Sequence, residues 1–120
     1  MPMIAIVDDD ESVRDATETL LRSLGYRTST FASADEFLKS EQVHDTSCLI
    51  TDVQMLGLNG IDLQDRLIAQ GHRIPIIFIT GYPEQRARAR AMKAGAIAFI
   101  PKPYNVEHLI GCLDKALHAS

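Results

Sequence analysis

The sequence lacks an apolar run long enough to cross a membrane. Its longest apolar stretch covers residues 74–79 and is interrupted by Pro75, whereas a membrane helix needs about 20 residues. The N-terminus carries neither a basic leader nor a small-residue cleavage site, so we expect no secretory signal. These absences predict a cytoplasmic protein that does not associate with membranes.

Positive charge and cysteine are also scarce. The chain of 120 residues has 12 Lys and Arg against 16 Asp and Glu, a net charge of −4. Nucleic-acid binding depends on a basic surface that releases counterions, so we expect no direct nucleic-acid contact. The two cysteines, Cys48 and Cys112, lie among apolar residues, which predicts reduced core thiols rather than a disulfide framework.

What the sequence does contain is a regular alternation of short apolar runs and amphipathic stretches. No repeat or linker divides the chain, so we predict a single domain over residues 1–120. Because parallel neighbouring strands need crossover connections, the alternation indicates an α/β fold, a parallel sheet with helices on both faces. The predicted strands cover residues 3–7, 26–31, 48–52, 74–80 and 96–100.

Residues typical of helix ends lie between these strands. Residues 33–36 form a capping box, and Asn59 is a second N-cap. Gly25 and Gly95 end the first and fourth helices, and Pro83 suits the first turn of the fourth helix.

Polar residues follow the carboxyl ends of the predicted strands, where parallel sheets bind their ligands. Carboxylates that converge there repel one another unless a cation neutralises them. Oxygen ligands favour Mg²⁺ over zinc, and none of the four histidines ends a strand, so we predict a Mg²⁺ site. The residues at the strand ends are Asp8, Asp9, Asp52, Thr80 and Lys102.

The same set of residues suits phosphoryl chemistry. Lys102 adds an ammonium and Thr80 a hydroxyl beside the carboxylates, and such groups position and neutralise a phosphoryl group. A carboxylate can itself be the nucleophile and form an acyl phosphate. A single Asp after a strand is often only a helix cap, but capping does not account for the whole set.

Four segments, 4–14, 49–55, 79–82 and 91–103, resemble the motifs of response-regulator receiver domains from two-component systems, with the FixJ-like subgroup as the best match. The resemblance covers the whole chain. It implies a doubly wound, flavodoxin-like sheet of five parallel strands in the order 2-1-3-4-5. FixJ-like receivers usually precede a DNA-binding helix-turn-helix domain, so the resemblance leaves two alternatives: a stand-alone receiver, or a receiver whose DNA-binding output domain lies outside this chain.

The resemblance also implies a role for each candidate site residue. Asp52 would accept a phosphoryl group from a sensor histidine kinase, and the domain would catalyse its own phosphorylation and slow dephosphorylation. Asp8 and Asp9 would be the acidic pair, with Asp9 the more direct Mg²⁺ ligand. Asp52 and the backbone carbonyl of Gln54 would complete the protein ligands. Lys102 would pair with the phosphoryl oxygens.

Two further positions match the switch elements of receivers. Thr80 would be the switch hydroxyl and Phe99 the switch aromatic, which would swing inward when Thr80 turns toward the phosphoryl group. The Lys102–Pro103 peptide would be cis, which proline permits at about 0.5–1 kcal/mol.

The sequence departs from the receiver pattern after Met55, where receivers usually have proline and this chain has Leu56 and Gly57. Leu-Gly predicts a more mobile loop than proline would give. Leu56→Pro would then stabilise the protein by about 0.4–1 kcal/mol where the backbone admits it.

Two other functions compete with the receiver interpretation. Asp8, Asp10 and Ser12 loosely resemble the nucleophile motif of haloacid-dehalogenase-type phosphatases, but an acidic pair does not follow Lys102, and the chain is short for that fold and its cap. A degenerate receiver that acts only as an interaction module is the second alternative, and the intact acidic set argues against it.

A basic stripe indicates a possible output surface. Arg86, Arg90 and Lys93 recur at helical spacing, which is typical of a solvated face. The resemblance instead suggests a phosphorylation-dependent homodimer through the fourth helix, fifth strand and fifth helix. That interpretation predicts that Arg90→Glu weakens self-association, more at low salt than at high salt.

Overall fold

The computed structural model describes residues 2–118 and contains one parallel sheet. Its five strands lie in the order β2-β1-β3-β4-β5, and all four neighbouring pairs are parallel. This confirms the predicted fold class and strand order. The strands are β1 Met3–Val7, β2 Arg27–Phe31, β3 Cys48–Thr51, β4 Ile76–Thr80 and β5 Ala98–Pro101. The helices are α1 Glu11–Ser23, α2 Ala34–Lys39, α3 Gly60–Ala69, α4 Gln85–Lys93 and α5 Val106–His118, with a 3₁₀ turn at Glu41–Asp45.

The sheet separates two apolar layers. Along β1, Ala5 and Val7 face the layer that contains α2, α3 and α4, whereas Ile4 and Ile6 face the layer that contains α1 and α5. Both faces of the central strands are therefore buried, which explains why β1 and β4 read as continuous apolar runs instead of alternating ones.

Two strands begin later than predicted because the preceding helix uses their first amide. The Tyr26 N–H donates to the Leu21 carbonyl at the end of α1, and the Ala96 N–H donates to the Ala91 carbonyl at the end of α4. Gly25 and Gly95, with φ of 91° and 105°, provide the left-handed turn that this helix ending requires. Those amides complete a helix, so the strands start beyond them.

Two proline-linked boundaries also differ from the prediction. Pro75 has no N–H to donate to the sheet, and β4 begins after it, at Ile76 instead of residue 74. Pro83 precedes the N-cap Glu84 instead of occupying the first turn of α4. The other caps are confirmed: Ser33 accepts the Glu36 N–H at 3.1 Å, and Asn59 accepts the Asp62 N–H at 2.8 Å.

Within residues 2–118, each helix is too short or too polar to span a lipid bilayer. Cys48 and Cys112 are free thiols. Cys48 is buried in the core as predicted, whereas Cys112 on α5 is half-buried. Burial raises the pKa of the Cys48 thiol to about 12 and also raises the pKa of Cys112.

Candidate functional site

The carboxyl edge of the sheet places three of the predicted residues immediately after their strands. The Asp8 N–H donates to the Phe31 carbonyl of β2 at 3.1 Å, and the Asp52 N–H donates to the Val7 carbonyl of β1 at 3.2 Å. The Lys102 N–H donates to a carbonyl of β4 at 2.8 Å. Each backbone is thus fixed by the neighbouring strand, which brings the three side chains to one edge.

Lys102 connects two carboxylates at this edge. Its Nζ lies 2.8 Å from Asp52 Oδ2 and 3.2 Å from Asp8 Oδ2. The side chains of Asp8, Asp52 and Lys102 are 7%, 11% and 22% exposed. Because solvent only partly screens these charges, removal of one partner would leave the others insufficiently compensated.

The ionisation of this group follows from burial and pairing. Burial alone would lower the pKa of Lys102, but the hydrogen bond and charge of Asp52, together with Asp8, outweigh it and raise that pKa. Burial raises the pKa of Asp8, against the lowering effects of the Asp10 N–H and Lys102. The Lys102 ammonium therefore stays protonated at neutral pH.

Backbone amides orient the Asp52 carboxylate. Its Oδ1 accepts the N–H of Val53 at 2.6 Å and the N–H of Gln54 at 3.2 Å, while Oδ2 faces Lys102. One carboxylate thus meets two amide donors and an ammonium, groups that stabilise negative charge on oxygen.

The three consecutive aspartates have three different partners. Asp8 pairs with Lys102, and the exposed Asp9 accepts the Leu56 N–H at 3.0 Å through Oδ2. Asp10 caps α1 by accepting the amides of residues 12 and 13. The phosphatase alternative needs Asp10 as the second acid of its motif, and its carboxylate is instead used as a helix cap.

The switch positions lie on neighbouring strands, Thr80 at the end of β4 and Phe99 in β5. Thr80 is fully buried, and its Oγ1 accepts the Tyr82 N–H at 3.1 Å. Phe99 is 7% exposed, and the centroid of its ring lies 5.9 Å from the centroid of the Phe78 ring. The ring of Phe99 therefore already points inward. The Lys102–Pro103 peptide is cis, as expected.

The donor chemistry of the site suits Mg²⁺, but its ligands are not assembled as one group. Asp8, Asp9 and Asp52 carry three negative charges against the single ammonium of Lys102, and all their donors are hard oxygens. Across residues 2–118, no three His, Cys, Asp or Glu side chains are grouped closely enough to hold a metal. Lys102 lies between Asp8 and Asp52, and Asp9 is turned to Leu56.

Three contacts at the site were not predicted from the sequence. Arg14 Nη1 donates to the Asp8 carbonyl at 2.7 Å, so α1 reaches back to the end of β1. The second is the hydrogen bond from the Leu56 N–H to Asp9 Oδ2. The third is Gly60, where an added Cβ would lie 2.1 Å from the Asp52 carbonyl oxygen. The Asn-Gly pair was interpreted only as a cap, and a single sequence gives no signal for such a close approach.

The basic stripe lies on the other side of α4 from the one predicted. Arg90 forms an ion pair with Asp65 of α3, so its side of the helix faces α3 and not α5. Arg88 instead borders a surface depression that Phe99 and Pro101 of β5 also line. Arg88 is therefore the α4 residue of positive charge that lies beside the predicted output face, and Lys115 of α5 lines a neighbouring depression on the same face.

Fold and site together define an α/β protein suited to binding a phosphoryl group at its strand ends, and comparison with known proteins identifies the family. The family model for the response regulator receiver domain matches residues 4–114. The response regulator protein TmoT of Ectopseudomonas mendocina is 44% identical over 115 residues, which are 96% of this chain and 52% of TmoT. The transcriptional regulatory protein FixJ of Bradyrhizobium diazoefficiens is 35% identical over 114 residues, 95% of this chain and 56% of FixJ.

A solved structure agrees with this assignment. The structure of the response regulator StyR superposes with a TM-score of 0.90 at 42% identity and covers 97% of this chain and 59% of that one. The chain belongs to the response-regulator receiver family, whose members are signalling phosphoacceptors of two-component systems and partner with sensor kinases. It spans about half the length of the curated relatives it matches.

Proposed function

We propose that residues 1–120 form a phosphoacceptor domain that takes a phosphoryl group from a histidine kinase onto Asp52 in a Mg²⁺-dependent reaction. The observation that carries this proposal is the position of Lys102 Nζ, 2.8 Å from Asp52 Oδ2 and 3.2 Å from Asp8 Oδ2. An ammonium held against this carboxylate is ready to pair with the oxygens of an arriving phosphoryl group.

The transfer step is a displacement at phosphorus. An Asp52 carboxylate oxygen forms a bond to phosphorus while the bond between phosphorus and the imidazole nitrogen of the donor breaks, and the electron pair stays on that nitrogen. The amides of Val53 and Gln54 hold the carboxylate in position. The Lys102 ammonium then pairs with an oxygen of the transferred phosphoryl group.

A divalent cation would complete the charge balance of the site. Asp8, Asp9, Asp52 and the Gln54 carbonyl would hold Mg²⁺, which, when bound, neutralises phosphoryl oxygens. The same groups would assist water in the slow hydrolysis of the acyl phosphate, so that the domain catalyses both its own phosphorylation and its dephosphorylation.

The switch would begin at Thr80. Its Oγ1 now accepts the Tyr82 N–H, and a phosphoryl group on Asp52 would offer the hydroxyl proton a stronger acceptor. Rotation of the Thr80 side chain toward that acceptor would take Oγ1 away from the Tyr82 amide, and the segment before α4 would rearrange. The packing of the Phe99 ring, which already points inward beside Phe78, would change with this rearrangement.

The output would pass through α4, β5 and α5 to a second copy of the chain or to a DNA-binding output domain. About half of each curated relative lies outside the matched region, which supports such a domain. We also propose a cytoplasmic location, which suits the free thiols of Cys48 and Cys112.

Acetyl phosphate tests the proposal directly. The chain incubated with acetyl phosphate and Mg²⁺ should gain one phosphoryl group by intact mass, and little without Mg²⁺. Asp52→Asn should abolish the gain, whereas the surface control Asp45→Asn should retain it. Undiminished phosphorylation of Asp52→Asn would contradict the assignment, and loss only in Asp8→Asn would favour the phosphatase alternative. An unmodified natural chain would favour the pure interaction module.

A further inference from the structure

A single hydrogen bond joins the acidic loop after β1 to the loop after the phosphoacceptor. The Leu56 N–H donates to Asp9 Oδ2 at 3.0 Å, between residues 47 positions apart in sequence. Proline, the usual residue of receivers at this position, has no N–H and could not form this bond. The contact is therefore a consequence of Leu56 in this chain.

This bond engages one oxygen, Oδ2, of the carboxylate that the metal site would need most. Asp8 and Asp52 share the Lys102 ammonium, whereas Asp9 is exposed and directs Oδ2 to the loop. Within residues 2–118 the three carboxylates do not form a ready group of metal ligands. Asp9 must therefore turn from Leu56 before it joins the other two.

The tip of this loop is exposed, although Met55 and Leu58 on either side of it pack against the core. The Leu56 side chain is 86% exposed, and Gly57 adopts a positive φ of 82°. The Gly60 N–H donates to the Val53 carbonyl at 2.8 Å and closes the base of the loop. At the exposed tip, the hydrogen bond from the Leu56 N–H to Asp9 joins the loop to the acidic residues.

We propose that the Leu56 amide is a latch that holds Asp9 away from the Mg²⁺ position, so that cation binding and release of the loop 53–59 are coupled. This inference rests on the proposed Mg²⁺ site. Coupling of this kind is reciprocal: whatever weakens the latch strengthens cation binding to the same extent, and a bound cation frees the loop. Leu56 is thus a positioning residue that acts through its backbone.

Loss of the amide tests the latch. A calorimetric titration with MgCl₂ should show that Leu56→Pro binds Mg²⁺ about 3- to 10-fold more tightly than the natural chain, the range that one exposed hydrogen bond allows. Leu56→Ala keeps the amide and should bind as the natural chain does. Equal affinity in the proline variant would overturn the latch. Weaker affinity would also overturn it, because the amide would then orient Asp9 as a ligand.

Because proline also changes the loop backbone, a second measurement uses the unaltered chain. Exchange of the Leu56 N–H with water, followed by NMR, should accelerate when MgCl₂ saturates the site. The control is the Glu36 N–H of the α2 cap, which donates to Ser33 Oγ at 3.1 Å. Its exchange rate should not change when MgCl₂ is added. A Leu56 amide that stays protected with Mg²⁺ bound would contradict the proposal.

The two measurements separate the latch from the site on which it depends. If MgCl₂ produces neither heat of binding nor a change in the NMR spectrum of the natural chain or its variants, the Mg²⁺ site and the latch both fail. If Mg²⁺ binds but neither its affinity nor the Leu56 exchange responds as stated, only the latch fails.

Discussion

Lys102 is the residue on which the charge balance of the site depends. Its ammonium compensates two carboxylates, and its pairing with Asp52 and Asp8 raises its pKa despite burial. For a lysine with a raised folded-state pKa, the stabilisation is fully present below the pKa of the unfolded chain and is lost as pH rises through the folded pKa. The ion pair therefore contributes throughout the neutral range.

Replacement of this ammonium should slow phosphorylation much more than it changes the fold. In the proposed reaction, Lys102→Ala removes a charge that would stabilise the transferring phosphoryl group, and loss of one such donor costs about 10²–10³ in rate. The rate of phosphoryl incorporation from acetyl phosphate measures the effect. Lys93→Ala, an exposed lysine of α4, is the control. A Lys102→Ala rate within a factor of about two of the natural chain would contradict the assigned role.

The buried thiol of Cys48 makes the free energy of unfolding depend on pH in the alkaline range. Burial raises its pKa from 9.0 to about 12, so the folded chain keeps the thiol proton after the unfolded chain has lost it. Its contribution is complete below pH 9.0 and is lost progressively as pH rises toward 12. Urea unfolding at increasing pH in this window should show a steeper loss of stability for the natural chain than for Cys48→Ala. Parallel slopes would show that the thiol does not titrate in this way.

Leu56 shows how one backbone amide changes an expectation based on residue type. Leu-Gly predicted that proline would stabilise the loop through the unfolded state. The Leu56 N–H is bonded to Asp9, and proline at a bonded N–H removes that contact. The structural basis for a gain in stability from Leu56→Pro is therefore absent.

At the level of elements, α3 begins in contact with the loop that follows β3 and contains Asp52. A Cβ on Gly60 would lie 2.1 Å from the Asp52 carbonyl oxygen and 3.2 Å from the Phe78 ring. Because the first obstacle is backbone, a side-chain rotation cannot relieve the overlap. The start of α3 therefore determines the path of residues 53–59.

Gly60→Ala and Gly111→Ala should change stability in opposite directions. Gly60→Ala forces the Asp52 carbonyl to move, which should cost about 1–3 kcal/mol and slow phosphorylation. Gly111 lies within α5 with open space around its Cβ position, so alanine there should stabilise by about 0.5–1 kcal/mol. Urea unfolding and phosphoryl incorporation measure both effects. A Gly60→Ala protein as stable and reactive as the natural chain would contradict this geometry.

The elements and the charged group at their ends were largely predictable from the sequence because each depends on local pattern. Apolar runs gave the five strands, and the residues after them gave Asp8, Asp52 and Lys102. The strand starts near Tyr26 and Ala96 were not predictable, because their amides complete the preceding helices. Gly60 and the Leu56–Asp9 bond depend on distances between separate loops, and a single sequence carries no such information.

For the whole molecule, the consequence of phosphorylation should appear as association. The beryllofluoride complex, a phosphoryl mimic, should sediment as a larger species than the chain alone. Arg88 borders the depression beside Phe99, so Arg88→Glu should weaken association, more at low salt than at high salt. Arg90→Glu, on the α3 side, should have the smaller effect. Identical monomeric profiles with and without beryllofluoride would place the output on another surface.

The side chains of α3 also determine how a disturbance at Asp52 would spread. Gln64 Nε2 donates to the Ala91 carbonyl at 3.1 Å inside the core, and Asp65 pairs with Arg90 at the surface. The helix that begins against the Asp52 carbonyl is thus fastened to α4 by a buried and an exposed link. A displacement of the Asp52 carbonyl would therefore move α3 and, through these two links, α4. High salt weakens only the exposed link, the ion pair between Asp65 and Arg90.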